Sequence, residues 1–256
     1  MITPRVLAVA NAAGSAGKTT TVVSLAAILA SRGKRVLVVD GDAQATATSW
    51  LRTPAASATL TDVLLRDVPA HEAAVATPWD GISVVPADRD LDATSVQLSM
   101  VRVGRERRLT RALESVTDLD FVLIDCPGQI TMVTVNALVA ADQVLSVTQP
   151  TMKELGGVQE LQSTLTEVSE AYNPTVTLAG IVPCNVPPST AGRLYSDAMQ
   201  LATETWPDLL TPRVRHSVRV PESHAQATPL PYHAPQAQVT ADYEAVYAWM
   251  VQRGTL

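Results

Sequence analysis

Gly17, Lys18 and Thr19 stand in succession between the apolar run "RVLAVA" at 5–10 and a stretch rich in alanine, valine and leucine. Residue types in that order suit a phosphate chain. Backbone N–H groups at a glycine-bearing turn, and at the helix start behind it, form an anion cradle. Lys18 would bridge β- and γ-phosphates, the Thr19 hydroxyl would ligate Mg2+, and Thr20 would reach an inner phosphate. The common loop pattern, G-x-x-x-x-G-K-[ST], has its first glycine where this chain has Ala12. Two further apolar runs end in carboxylates. "RVLVVD" at 35–40 ends in Asp40 and continues through Gly41 to Asp42, and "FVLID" at 121–125 ends in Asp125. A carboxylate ending a buried strand is the water-mediated Mg2+ partner of phosphoryl-transfer sites, and a second one nearby can orient a water. Each taken singly also reads as the cap of the next helix.

These residues need a frame that brings three strand ends together. Short Val/Ile/Leu runs alternate with longer helix-period segments. Strands are expected at 5–10, 35–40, 82–86, 121–125, 143–149 and 177–183. Helices are expected at 18–32 (stopped by Gly33), near 59–66, at 105–116, near 131–140 and near 153–171. Continuous apolar strands separated by helices predict an α/β fold, a doubly wound, mostly parallel sheet with helices on both faces. In such a sheet, ligands bind beyond the carboxyl ends of the strands, where the three groups would meet. The proline-rich region 183–235 reads as irregular without linker composition, so 1–256 is expected to be one domain.

Composition narrows the classes. A net charge of −6 argues against wholesale coating of nucleic acid, and the 46% hydrophobic content supports a large core. Cys126 and Cys184 form neither a disulfide framework nor a metal spacing, which predicts a reduced, cytoplasmic protein with small core thiols. His71, His216, His224 and His233 share no catalytic or metal spacing, and Trp50, Trp79, Trp206 and Trp249 read as packing anchors. No apolar run is long enough to span a bilayer. The N-terminus has no charged region followed by a cleavage site, so secretion is not expected.

Taken together, the segments resemble the ParA/MinD family of deviant P-loop ATPases, and its ParA branch most. "GKTTTVVSLAAILASRGKRVLVVDGDAQATATSWL" looks like the family's loop, first helix and second strand. "FVLIDCPGQITMVTVNALVAADQVLSVTQP" looks like its third motif, and "RHSVRVPESHAQATPLPYHAP" like its late segment. The resemblance implies a P-loop NTPase fold, ATP and Mg2+ as cofactors, and ATP hydrolysis. It assigns phosphate and Mg2+ to Lys18 and Thr19, the loop backbone to Gly14, Ser15, Ala16 and Gly17, and the attacking water to Asp42. It assigns water-mediated Mg2+ contact to Asp40 and Asp125, and the base to Asn185. It also implies a homodimer closed by ATP, nonspecific DNA as ligand, a nucleoid-associated location and a ParB-like centromere-binding partner. Arg193, Arg215 and Arg219 fall where the branch carries its DNA-binding arginines. The run "RVGRERR" at 102–108 reads as a solvated helix face instead.

One departure stands out. The family loop reads x-K-G-G-x-G-K-T, so a missing glycine at 12 is expected, but Ala13 occupies the place of the signature lysine. In the family that lysine reaches the other subunit's phosphates, and a trans cation of this kind is worth ~10³–10⁵ in rate. Slow or partner-dependent hydrolysis is therefore expected, with Arg105, Arg107 and Arg108 as candidate replacements. Ser15 for glycine restricts the turn. A nucleotide-gated switch without catalysis is one alternative. A MinD-like membrane switch is another, but the stripe Tyr243, Val246, Tyr247, Met250 lacks the basic polar face of a membrane helix and predicts packing on the domain.

Overall fold

The computed structural model describes residues 3–14, 17–188 and 192–256. The expected phosphate-loop residues Ser15 and Ala16 lie outside the described residues. Seven strands form one sheet: β1 (Arg5–Ala10), β2 (Val36–Asp40), β3 (Val75–Ala76), β4 (Ile82–Val85), β5 (Phe121–Asp125), β6 (Gln143–Thr148) and β7 (Thr177–Pro183). Their order is β3-β4-β2-β5-β1-β6-β7. Every pairing is parallel except β3 with β4 at the edge. The helices are α1 (Lys18–Ala30), α2 (Thr46–Trp50), α3 (Leu60–Arg66), α4 (Ala70–Ala73), α5 (Leu91–Met100), α6 (Arg108–Leu113), α7 (Met132–Ala140), α8 (Met152–Ala171), α9 (Arg193–Thr205), α10 (Arg219–Ala225), α11 (Leu230–His233) and α12 (Gln238–Gln252).

Period-two alternation assigns the strand residues to two cores. Val6, Ala8, Leu37, Val39, Val122 and Ile124 face a layer that includes α3, α6, α7 and α8. Leu7, Val9, Val36, Val38, Phe121 and Leu123 face α1, α2 and α12. Both faces being covered explains why the strands read as unbroken apolar runs. Within α12, Tyr243, Val246 and Met250 are buried in that second core, so the terminal stripe packs as its composition predicts.

Three expectations are corrected. The helix predicted at 105–116 is a 3₁₀ turn, Arg105–Arg107, followed by α6. Asn136, buried on α7, enters the break: its Oδ1 accepts the Leu109 N–H at 3.2 Å and its Nδ2 donates to the Arg105 carbonyl at 2.8 Å. The region 183–235 is not irregular, because it holds α9, α10 and α11. Helix α9 buries only Ala198 and Ala202, while Leu194 and Leu201 on it stay exposed. Helix α5 was not foreseen, and its inward row includes a threonine, Thr94, between Leu91 and Leu98.

Candidate functional site

Strand β1 is central. From it the chain crosses to β2 on one side and later to β6 and β7 on the other. The carboxyl end of β1 therefore lies at the reversal of strand order, where open α/β sheets take ligands. Gly17 caps α1 with φ +98°, a left-handed conformation suited to glycine. Behind it begins α1, with Lys18 and Thr19 in its first turn. Lys18 is buried, and its ammonium donates to the Ala13 carbonyl at 3.1 Å. An ammonium has three protons, so two remain for a ligand.

The carboxylates converge as expected. Asp40 and Asp125 are cross-strand partners in the β2·β5 pair, and both are fully buried. The strand ends are held close by the Gly41 N–H, which donates to the Asp125 carbonyl at 2.8 Å. A Cβ at 41 would sit 2.7 Å from that same oxygen, so only glycine fits.

The two carboxylates have different surroundings. Asp40 Oδ2 accepts from the Thr48 N–H at 2.8 Å and from its hydroxyl at 2.7 Å, while Oδ1 accepts the Asp42 N–H at 3.2 Å. Asp40 thus ties the loop after β2, and the start of α2, to the strand end. Burial pushes its carboxyl up to about 6 in spite of these bonds. Neither carboxylate oxygen of Asp125 has a hydrogen bond of good geometry. Burial first, and then the charge of Asp40, push it well above the usual carboxylate range. The Thr19 hydroxyl and the Lys18 ammonium beside it pull the other way. A buried, unpartnered carboxylate next to a hydroxyl and a lysine is what a hydrated divalent cation satisfies. The residues present therefore fit Mg2+, which Thr19 and Asp125 would hold.

Above these groups opens a cavity of about 420 Å³, lined among others by Gly14, Lys18, Thr19, Asp42, Trp50 and His224. Asp42 is fixed there by its Oδ1, which accepts the Gln44 N–H at 3.0 Å. Gly17, Thr20, Val220 and Pro221 are shared with a second cavity of about 200 Å³. Asn185 lines this one, in a left-handed turn, with Oδ1 2.6 Å from His216 Nδ1. Together the two spaces suit a ligand with an anionic end on the α1 N-terminus and a flat end near Asn185.

Several cavity residues had no functional signal in the sequence. Trp50 is buried, as expected of a packing residue, yet it lines the larger cavity and donates Nε1 to the Thr228 carbonyl at 3.1 Å. His224 packs on it, ring centroids 4.9 Å apart. Val220, Pro221 and His224 come from α10, inside the segment whose resemblance to the family's late motif placed it near the base, though none of the three was singled out. The thiols behave as small core groups: burial pushes Cys184 up to about 11, and Cys126 further.

The arginines do not share one environment. Arg193 opens α9 and is exposed, with no ion pair among the described residues. Arg215 is held by Asp242, at 2.6 Å from Nε and 2.8 Å from Nη2. Arg219 pairs with Glu222 at 2.7 Å. Among the candidate replacement cations, Arg105 pairs with Glu106 and Arg108 with Asp67, and Arg107 donates to the Tyr172 carbonyl.

Comparison with known proteins agrees with this geometry. A family described as an AAA domain matches residues 4–178. The chain is 40% identical over 184 residues to the chromosome partitioning protein ParA of Caulobacter vibrioides, covering 70% of this chain and 68% of that one. It is 36% identical over 181 residues to the sporulation initiation inhibitor protein Soj of Bacillus subtilis, covering 70% and 71%. A solved structure of cobyrinic acid a,c-diamide synthase from Mycobacterium smegmatis, with bound ATP analog and magnesium, superposes with a TM-score of 0.81. It is 31% identical and covers 98% of this chain and 95% of that one. With the sheet order, the glycine-lysine-threonine turn and the paired strand-end aspartates all in place, the chain belongs to the ParA/MinD family of P-loop ATPases.

Proposed function

We propose that this chain is a ParA-like partition ATPase that acts as one domain, 1–256, in the cytoplasm on the nucleoid. The observation that carries the proposal is the convergence of Lys18, Thr19 and Asp42 on one cavity at the carboxyl ends of β1 and β2, with the buried carboxylate of Asp125, at the end of β5, beside Thr19 and Lys18. Lys18 and the backbone of Gly14 and Gly17 hold the phosphates, with Thr20 inside them and Asn185 toward the base. Magnesium, when bound, supplies positive charge to the phosphate oxygens, and Thr19, Asp125 and the tethered Asp40 are the residues that would hold it. Asp42 orients the water that attacks the terminal phosphate. ATP closes a homodimer, the dimer holds nonspecific DNA through Arg193, Arg215 and Arg219, and a ParB-like centromere-binding partner stimulates hydrolysis. Among the relatives, the chromosome partitioning protein is the more identical, 40% against 31% for the mycobacterial synthase though over a shorter stretch, and this reading follows it.

The absence of a lysine at 13 favours a second reading, a nucleotide-gated binding switch with little turnover. The burial of Tyr243, Val246 and Met250 of α12 in the core speaks, as their composition did, against the membrane alternative. Turnover of ATP, alone and with DNA and partner, separates the first two readings. A stimulated rate that Asp42→Ala lowers supports the ATPase, and a rate indifferent to that substitution rules it out.

A further inference from the structure

Asn185 and His216 stand side by side in the wall of the smaller cavity, and both are exposed there. The backbone holds each in place. Past the end of β7 the chain pairs with residues 214–216. The Val214 N–H donates to the Pro183 carbonyl at 2.7 Å, the Val186 N–H to the Val214 carbonyl at 3.0 Å, and the His216 N–H to the Val186 carbonyl at 2.9 Å. Arg215, next to His216, is clamped to α12: Asp242 accepts its backbone N–H at 3.0 Å and its Nε at 2.6 Å. Asn185 takes φ +53°, a left-handed conformation that asparagine tolerates better than most residues. The rim that carries the two side chains is therefore a braced strip and not a free loop.

Asn185 Oδ1 lies 2.6 Å from His216 Nδ1. A carboxamide oxygen only accepts, so the proton of this contact is on Nδ1 and the imidazole is the donor. An asparagine amide has two orientations of nearly equal shape and opposite hydrogen-bonding pattern. A donor at Nδ1 selects the one with its oxygen on the histidine side. The oxygen keeps a second lone pair, and the amide nitrogen carries two protons. The edge left for a ligand thus has a fixed order, an acceptor beside His216 and a donor beyond it. That order matches a 6-aminopurine, whose exocyclic amine donates to Oδ1 while the neighbouring ring nitrogen accepts from Nδ2. A 6-oxopurine sets its carbonyl against Oδ1, two acceptors in opposition. A base tethered through its ribose to phosphates on α1 cannot turn over to restore the match.

We propose that His216 is a positioning residue that sets base specificity: by donating Nδ1–H to Asn185 Oδ1 it holds the amide in the orientation that accepts a 6-aminopurine nucleotide and rejects a 6-oxopurine one. The inference rests on the nucleotide reading above, with Asn185 toward the base. His216 acts on the base through Asn185.

Four proteins test this: wild type, His216→Asp, His216→Asn and Asn185→Ala. Fluorescent analogues of ATP and GTP are titrated against each in the presence of Mg2+, and the ratio of the two affinities is the readout. An aspartate oxygen branches from the same position as Nδ1 but only accepts, so His216→Asp turns the Asn185 amide round. Its added charge acts on both nucleotides alike and cancels in the ratio. Wild type is expected to favour the ATP analogue by at least ~10-fold. His216→Asp should bring the ratio to about one or below. His216→Asn, which offers an N–H from the same position, should keep most of the preference, and Asn185→Ala should abolish it. A merely structural imidazole would weaken both nucleotides equally and leave the ratio unmoved. A preference that survives His216→Asp, or a wild type that binds both analogues equally, overturns the inference and leaves the nucleotide reading standing. A preference lost to the same extent in His216→Asn and His216→Asp overturns the donor role. Failure of the wild type to bind either analogue overturns the inference and the reading beneath it.

Discussion

At the residue scale the site rests on one cation and three carboxylates held on rigid strand and helix ends. Lys18→Ala removes the buried ammonium, and affinity for an ATP analogue is expected to fall roughly 10²-fold or more. Unchanged affinity in a titration would count against the loop assignment. Asp42→Ala should leave that affinity in place and lower turnover by roughly 10²–10⁴-fold. Asp40 gives a pH prediction with a definite sign. Its folded value, about 6, lies above the ordinary 3.8, so its contribution to stability is complete below about pH 4 and is lost as pH rises through 6. The loss amounts to about 3 kcal/mol at most. Asp40→Asn should therefore narrow its deficit against wild type, or overtake it, between pH 5 and 7.5 in nucleotide-free denaturant melts. A difference that stays constant with pH would mean that Asp40 is no more costly to ionise than a surface carboxylate.

At the element scale, the parts that matter are the joints between helices. Asn136 links the 3₁₀ turn to α6 and α7, and it also donates to the Met132 carbonyl at 2.9 Å. Asn136→Ala leaves the Leu109 N–H and the Arg105 carbonyl without partners inside the fold. The expected cost is about 1–3 kcal/mol in chemical denaturation, with nucleotide affinity changed little. Helix α10 forms one wall of the larger cavity, and the loop after it is tied to α2 by Arg52. That side chain donates to the Ala227 carbonyl at 2.8 Å and to the Gln226 carbonyl at 2.7 Å. These joints were illegible in the sequence. Asn136 sits in an apolar helix with nothing to mark it as a cap for another element, and Arg52 lies about 175 residues from its acceptors. The strands were legible, because burial on both faces forces unbroken Val/Ile/Leu runs. So were α1 and α7, the first behind a glycine turn and the second behind Thr131, whose side chain accepts the Thr134 N–H.

At the scale of the whole molecule, ATP should convert the chain into a dimer that holds DNA. Two of the three candidate arginines already share their charge with Asp242 and Glu222. DNA binding should accordingly be weak and steeply salt-dependent only in proportion to the phosphates met, with a log–log slope of about −0.9 for each. Substituting Arg193 by alanine should reduce that slope by about one unit in a salt titration of DNA binding. A slope unmoved by Arg193→Ala would place the DNA face elsewhere.

The sequence by itself determined the layered sheet and the chemistry at its strand ends. Both are written locally: apolar runs specify buried strands, and Gly17-Lys18-Thr19, Asp40 and Asp125 sit within a residue or two of where those strands stop or the next helix begins. Tertiary structure alone decided that Asp40 anchors a loop while Asp125 is left buried beside Thr19 and Lys18, since each depends on a neighbour brought in by packing. It also decided which faces close on the cavity, bringing Trp50 and His224 together and laying α8 over Ala13. A side chain's chemistry belongs to its type, but whether that chemistry is available depends on what the rest of the chain packs against it.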